Sequence, residues 1–173
     1  MKYNNSHGLT LIEVLIYLAL YTIIMAGVLT SVYATLESSE RNNTRGMLQE
    51  EGDFVLEKID WALTGLLSIS VPAPNTSGDT LSLIKQDTTV GNPVIIRRTA
   101  SGEMTITRSG TTYTLTNGNV SVTCVSPGCF THTAGSGDGI NPESISAHMI
   151  FHATTSDGFP ITQDFTSVMF MRK

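Results

Sequence analysis

Cys124 and Cys129 enclose Val-Ser-Pro-Gly, and two thiols at that spacing can be oxidised to a disulfide or can share a metal ion. Pro127-Gly128 suits the central positions of a type II turn, which predicts a hairpin tip with the two sulfurs facing each other. His132 offers a third ligand, but no fourth is spaced as in a structural zinc site, so no metal is assigned; in the oxidising space of an exported domain a disulfide is expected, with free cysteines as the alternative. His148 and His152 would form a metal pair on a helix, whereas on a strand they lie on one face roughly 13 Å apart as ordinary surface residues. Asp138 and Asp157 could hold calcium, but they lack the series of oxygen ligands that calcium sites need. The run Ala134-Gly-Ser-Gly-Asp-Gly has no flanking strand and helix and no phosphate-binding lysine, so it reads as a loop. No serine lies in a Gly-x-Ser-x-Gly elbow, and no catalytic residue or cofactor is assigned. Arg97-Arg98 reads as a solvated strand edge rather than an anion site. Glu13 is the most demanding residue, because a carboxylate at mid-bilayer costs about 2.5–3.5 kcal/mol and this one stands in a long apolar run.

The elements that must position these groups follow from the distribution of apolar residues. The chain has 173 residues, enough for one domain, with 40% hydrophobic and only 14% charged positions. Lys plus Arg is 10 against 15 for Asp plus Glu, giving a net charge of −5 that argues against a nucleic acid partner. From Leu9 to Leu36 Glu13 is the only charge in 28 residues, and as a helix that segment would be about 42 Å long, more than a bilayer core requires. Residues 1–8 form a polar leader with Lys2, which favours a cytoplasmic start. A secretory signal core of about 7 to 15 residues followed by a small-residue cleavage site does not fit so long a run.

Residues 37–46 are polar all round, as suits an exposed waist where a helix has left lipid but not yet met a core. Apolar periodicity returns at Leu48, Val55, Ile59, Ala62 and Leu66, with Leu56 and Leu63 beside them, so residues 37–67 read as an amphipathic helix. Gly46 and Gly52 each cost about 1 kcal/mol in a helix and predict a loosened join, while Pro72 and Pro74 set the end near Leu67. Residues 68–173 alternate in strand fashion at 80–84, 93–98, 103–108, 111–115 and 120–125, with Ser101-Gly102, Ser109-Gly110 and Asn117-Gly118 as turns. A final hairpin, residues 145–153 with 161–171, closes the sheet. The fold class is α+β, a long N-terminal helix whose second half packs on a C-terminal antiparallel sheet.

Gly8 followed by Leu9-Thr10-Leu11-Ile12-Glu13-Val14-Leu15 resembles the N-terminal signal of type IV pilins and the pseudopilins of type II secretion systems. The resemblance implies cleavage between Gly8 and Leu9 by a prepilin peptidase that also methylates Leu9, leaving Glu13 as the fifth residue of the mature chain. It further implies that the carboxylate pairs with the amine of a neighbouring subunit and fixes assembly register, each group being costly in lipid when unpaired. Leu9 stands where the family usually has Phe, and the helix lacks the mid-helix proline of many major pilins, with Gly27 the one point of weakness. The order of elements, the Ser70-Val-Pro-Ala-Pro step and the closing Arg172-Lys173 also resemble J-type minor pseudopilins. The implied partners are the peptidase/methyltransferase, other pilin or pseudopilin subunits, the inner-membrane assembly platform and membrane lipid. The rival expectation is a membrane-anchored binding module that never polymerises.

Overall fold

The computed structural model describes residues 10–136 and 142–171. Its first element is helix α1, Leu11–Leu63, and the chain divides into two units, Met1–Glu40 and Arg41–Lys173. Thr10 starts the helix by accepting a 3.4 Å hydrogen bond on Oγ1 from the Glu13 N–H, the Thr-x-x-Glu spacing of a capping box. From Leu11 to Leu36 the helix is apolar on nearly every side and open to its surroundings: Leu11 is 82% exposed, Ile23 70% and Tyr33 70%. Such a surface is untenable in water, and the segment is long and apolar enough to cross a membrane. The Thr22, Thr30 and Thr35 hydroxyls donate to the carbonyls of Ala19, Ala26 and Ser31 at 2.8–2.9 Å, so these polar groups are satisfied within the helix.

In the second unit one stripe of α1, Leu48, Gly52, Val55, Ile59, Ala62 and Leu63, is buried. The expected waist is not wholly exposed, because the Arg41 guanidinium lies 4.7 Å over the Phe159 ring. Nor do the glycines interrupt the helix. Gly52 instead receives the Phe165 ring, whose carbons occupy the place a Cβ would take. The helix stops at Leu63 rather than near Leu67: Thr64 N donates to Asp60 O, Gly65 turns left-handed at φ +66°, and Leu66–Val71 is strand β1. Gly65 was the stop signal, since only glycine adopts that conformation without cost. The last turn has no basic residue of its own, and Lys85 provides the missing cation, its Nζ donating to Trp61 O at 2.5 Å and lying 4.2 Å over the Trp61 ring. Burial holds the Lys85 ammonium below its ordinary pKa, partly offset by the negative charge of Asp87.

The remaining strands are β2 (Thr76–Gly78), β3 (Thr80–Lys85), β4 (Val94–Arg98), β5 (Met104–Arg108), β6 (Thr111–Thr114), β7 (Val120–Cys124), β8 (Phe130–Thr133), β9 (Ser144–Thr154) and β10 (Pro160–Phe170). They make two sheets where one was expected, ordered β1-β3-β4-β5-β6 and β10-β9-β8-β2, with β7 also on β9. Strand periodicity reports which face is buried, not which strand is the neighbour, so the division was not visible in it. The Arg97-Arg98 pair is not on a sheet edge, because β4 lies between β3 and β5. Arg98 reaches instead to the second sheet, its Nε donating to Val122 O at 2.6 Å, with Nη1 3.7 Å from Asp79 Oδ2. The final hairpin forms in unbroken register from Thr154↔Pro160 to Ser144↔Phe170. Helix and both sheets meet in a single core that includes Ile59, Leu83, Ile96, Met104, Phe130 and Phe151. Phe151 and Phe165 pack edge to face there with centroids 5.0 Å apart.

Candidate functional site

Glu13 stands in the first turn of α1, where a carboxylate is favoured by the unpaired N–H groups of a helix start. It is half-buried, and its Oε1 accepts a 3.1 Å hydrogen bond from the hydroxyl of Tyr17, one turn on. Sequence reasoning missed Tyr17 although the i, i+4 spacing was there to find it. Among the described residues no cation pairs with Glu13. Gly8 and Leu9 lie outside the described residues. The arrangement can bind a cationic group: a carboxylate is presented on a helix that is otherwise apolar, with Tyr17 holding one of its oxygens in place.

Cys124 and Cys129 are joined as a disulfide with their Cα atoms 4.5 Å apart. The bond does not cross a hairpin tip, since β7 and β8 do not pair with each other. Both are antiparallel to β9, Val120–Cys124 along Ala153–Met149 and Phe130–Thr133 along Ala147–Ser144, so they run in line and the disulfide clasps the excursion between them. The turn also differs from expectation: Gly128 N donates to Val125 O at 3.0 Å and the Ser126–Pro127 peptide is cis, which puts proline at the third position of a type VI turn. Gly128 is needed for a different reason, because a Cβ there would stand 2.8 Å from the backbone of Gly78.

Asp79 accepts from the Cys129 N–H at 3.3 Å, and its carboxylate lies with the two sulfurs inside 4.8 Å. That grouping offers no thiolate while the sulfurs are bonded to each other. His132 does not join it. The imidazole is 2% exposed, with Nδ1 2.9 Å from Pro72 O and Nε2 2.9 Å from Glu143 Oε1. Both nitrogens face oxygens, and His132 ties the end of β1 to the start of β9. The other two histidines among the described residues keep separate partners, His148 Nε2 at 2.9 Å from Asp164 Oδ1 and His152 Nε2 at 2.7 Å from Thr123 Oγ1. The first of these is an ion-pair distance without hydrogen-bond alignment. Asp138 lies outside the described residues, and Asp157 is exposed in the turn between β9 and β10.

Comparison with curated proteins and with solved structures finds no match. Comparison with protein families finds one for residues 3–29, the prokaryotic N-terminal methylation motif. That span contains Gly8, Leu9, Glu13 and α1 as far as Leu29. The chain thus carries the N-terminal methylation signal of type IV pilin and pseudopilin precursors.

Proposed function

We propose that this protein is a minor pilin or pseudopilin, a structural subunit of a type IV pilus-like filament or of a type II secretion pseudopilus. The observation that carries the reading is a lone carboxylate, Glu13, on an exposed apolar helix within the matched methylation motif. A prepilin peptidase cuts between Gly8 and Leu9 and methylates the new amine. Before assembly the protein is a single-pass inner-membrane protein with its amino terminus in the cytoplasm and the two-sheet domain outside. During assembly the first half of α1 exchanges lipid for a bundle of like helices. The Leu9 amine of one subunit and Glu13 of the next neutralise each other, so the cost of placing either in a low dielectric sets the register.

The test is intact and N-terminal peptide mass spectrometry of the chain expressed with a prepilin peptidase. A product beginning at methylated Leu9 is expected. A product still beginning at Met1 overturns the reading and leaves a membrane-anchored binding module. Glu13→Ala is expected to be cleaved and inserted normally but to enter filaments poorly; entry at the wild-type level refutes the pairing.

A further inference from the structure

We propose that the free edge of β6 and the groove behind it form a docking site for an extended acidic segment of a partner protein. Phe54, Lys58 and Trp61 recur at i, i+4 and i+7 on one side of α1 and face Arg108, Tyr113 and Leu115 across a groove of about 370 Å³. Its lining contains two cations and no carboxylate, on a chain whose net charge is −5. Lys58 Nζ lies 4.9 Å over the Phe54 ring and the Arg108 guanidinium 5.6 Å over Tyr113, and among the described residues neither is paired with an acid. Phe54 is 41% and Tyr113 49% exposed, so aromatic surface as well as positive charge is on offer.

The edge beside the groove supplies the main-chain half of the site. β6 is the last strand of its sheet, and all four of its residues are exposed. The register Arg108↔Thr111 and Ile106↔Tyr113, with Leu115 N donating to Met104 O at 2.7 Å, turns residues 111, 113 and 115 toward β5. The N–H and C=O groups of Thr112 and Thr114 therefore point out of the sheet. Proteins commonly guard such an edge with lysine, proline, a bulge or a short strand, and of these β6 has only its four-residue length. A strand added here would place every second side chain over Tyr113, Phe54 and Lys58, so alternating acidic and apolar residues match both halves.

The occupant is not a second copy, because the chain's acidic runs, residues 37–40 and 50–53, are locked in α1. It is not a nucleic acid, since two cations on an acidic chain cannot track a phosphate backbone, and Phe54 and Tyr113 already hold a cation on one face.

The experiment uses the full chain in detergent micelles and a fluorescent octapeptide of alternating glutamate and valine, followed by anisotropy. Saturable binding is expected, weakened about tenfold or more by Lys58→Glu and by Arg108→Glu. The same peptide N-methylated at alternate residues keeps its charge and is expected not to bind, which tests the edge without touching the protein. Absence of binding, equal binding by the groove variants or by the N-methylated peptide, or capture of oligothymidylate in place of the peptide would overturn the proposal.

Discussion

Alanine at Gly46 and alanine at Gly52 are expected to move the stability of the second unit in opposite directions, although both lie inside the same helix. Replacing a helical glycine by alanine gains about 1 kcal/mol from backbone entropy alone. At Gly46 nothing stands within 4 Å of the added Cβ, so that gain should be realised in full. At Gly52 three ring carbons of Phe165 lie inside the 3.0 Å limit of real Cβ contacts. The ring cannot simply retreat, because it is buried and packs on Phe151 at a centroid distance of 5.0 Å. Overpacking of this kind costs about 1–3 kcal/mol. Since the entropic gain is common to both sites, the gap between the variants measures the overpacking itself. At roughly 4 °C per kcal/mol for a unit of this size, the two melting temperatures should differ by about 4–12 °C, with Gly46→Ala the higher. The single tryptophan, Trp61, lies on the same helix and reports the transition by fluorescence in detergent. In a Phe165→Leu background Gly52→Ala should lose most of its penalty. Equal stabilisation by the two alanines would refute the close approach of Phe165 to the helix.

Two further substitutions test buried polar groups. His132→Ala removes an imidazole held between Pro72 O and Glu143 and should cost about 2–4 kcal/mol in urea unfolding; a loss below about 0.5 kcal/mol would mean the clasp contributes nothing. Lys85 holds its proton less tightly when folded than when unfolded, so stability should rise as pH climbs toward the ordinary lysine range, where the unfolded chain still binds the proton that the folded chain has released. Lys85→Met should flatten that rise in urea midpoints measured across the same alkaline window, and an unchanged slope would assign it to another group.

The helix was legible because its apolar character persists over so many turns that no alternative element fits, and its buried stripe at Leu48, Val55, Ile59 and Ala62 follows from 3.6-residue spacing. Its end was misplaced because Pro72 was weighed as the stop and Gly65 was passed over, although Gly65 is the residue at positive φ. Strands β3 to β7 and the final hairpin were visible as alternation, and the turns at Gly102 and Ser109-Gly110 as backbone chemistry. β1 was hidden inside an apolar run that continues from the helix, while β2 and β8 are too short to establish a period. Pairing was invisible throughout. Knowing that Cys124 and Cys129 are close in sequence did not reveal that their strands lie end to end along β9. At the N-terminus the reverse held, because a glycine, a run of aliphatic residues and one glutamate carry the signal in their order alone. The role of Gly52 was not legible, since a glycine kept for a ring that arrives from residue 165 looks the same as a glycine that merely weakens a helix.

The placement of β9 sets an order of events as the chain emerges. β3, β4 and β5 each pair with the next strand in sequence, so most of the first sheet can close as soon as residue 114 has emerged. The second sheet has no such freedom: β2 must wait for β8 across more than fifty residues, and β7 and β8 have no strand to share until β9 is made. Closures over long stretches of chain are slow, and open strand edges are exposed meanwhile. The emerging chain thus passes through a stage with one finished sheet, an uncovered glycine on α1 and two strands awaiting a third. The last-made hairpin ends that stage when it delivers Phe165 to Gly52.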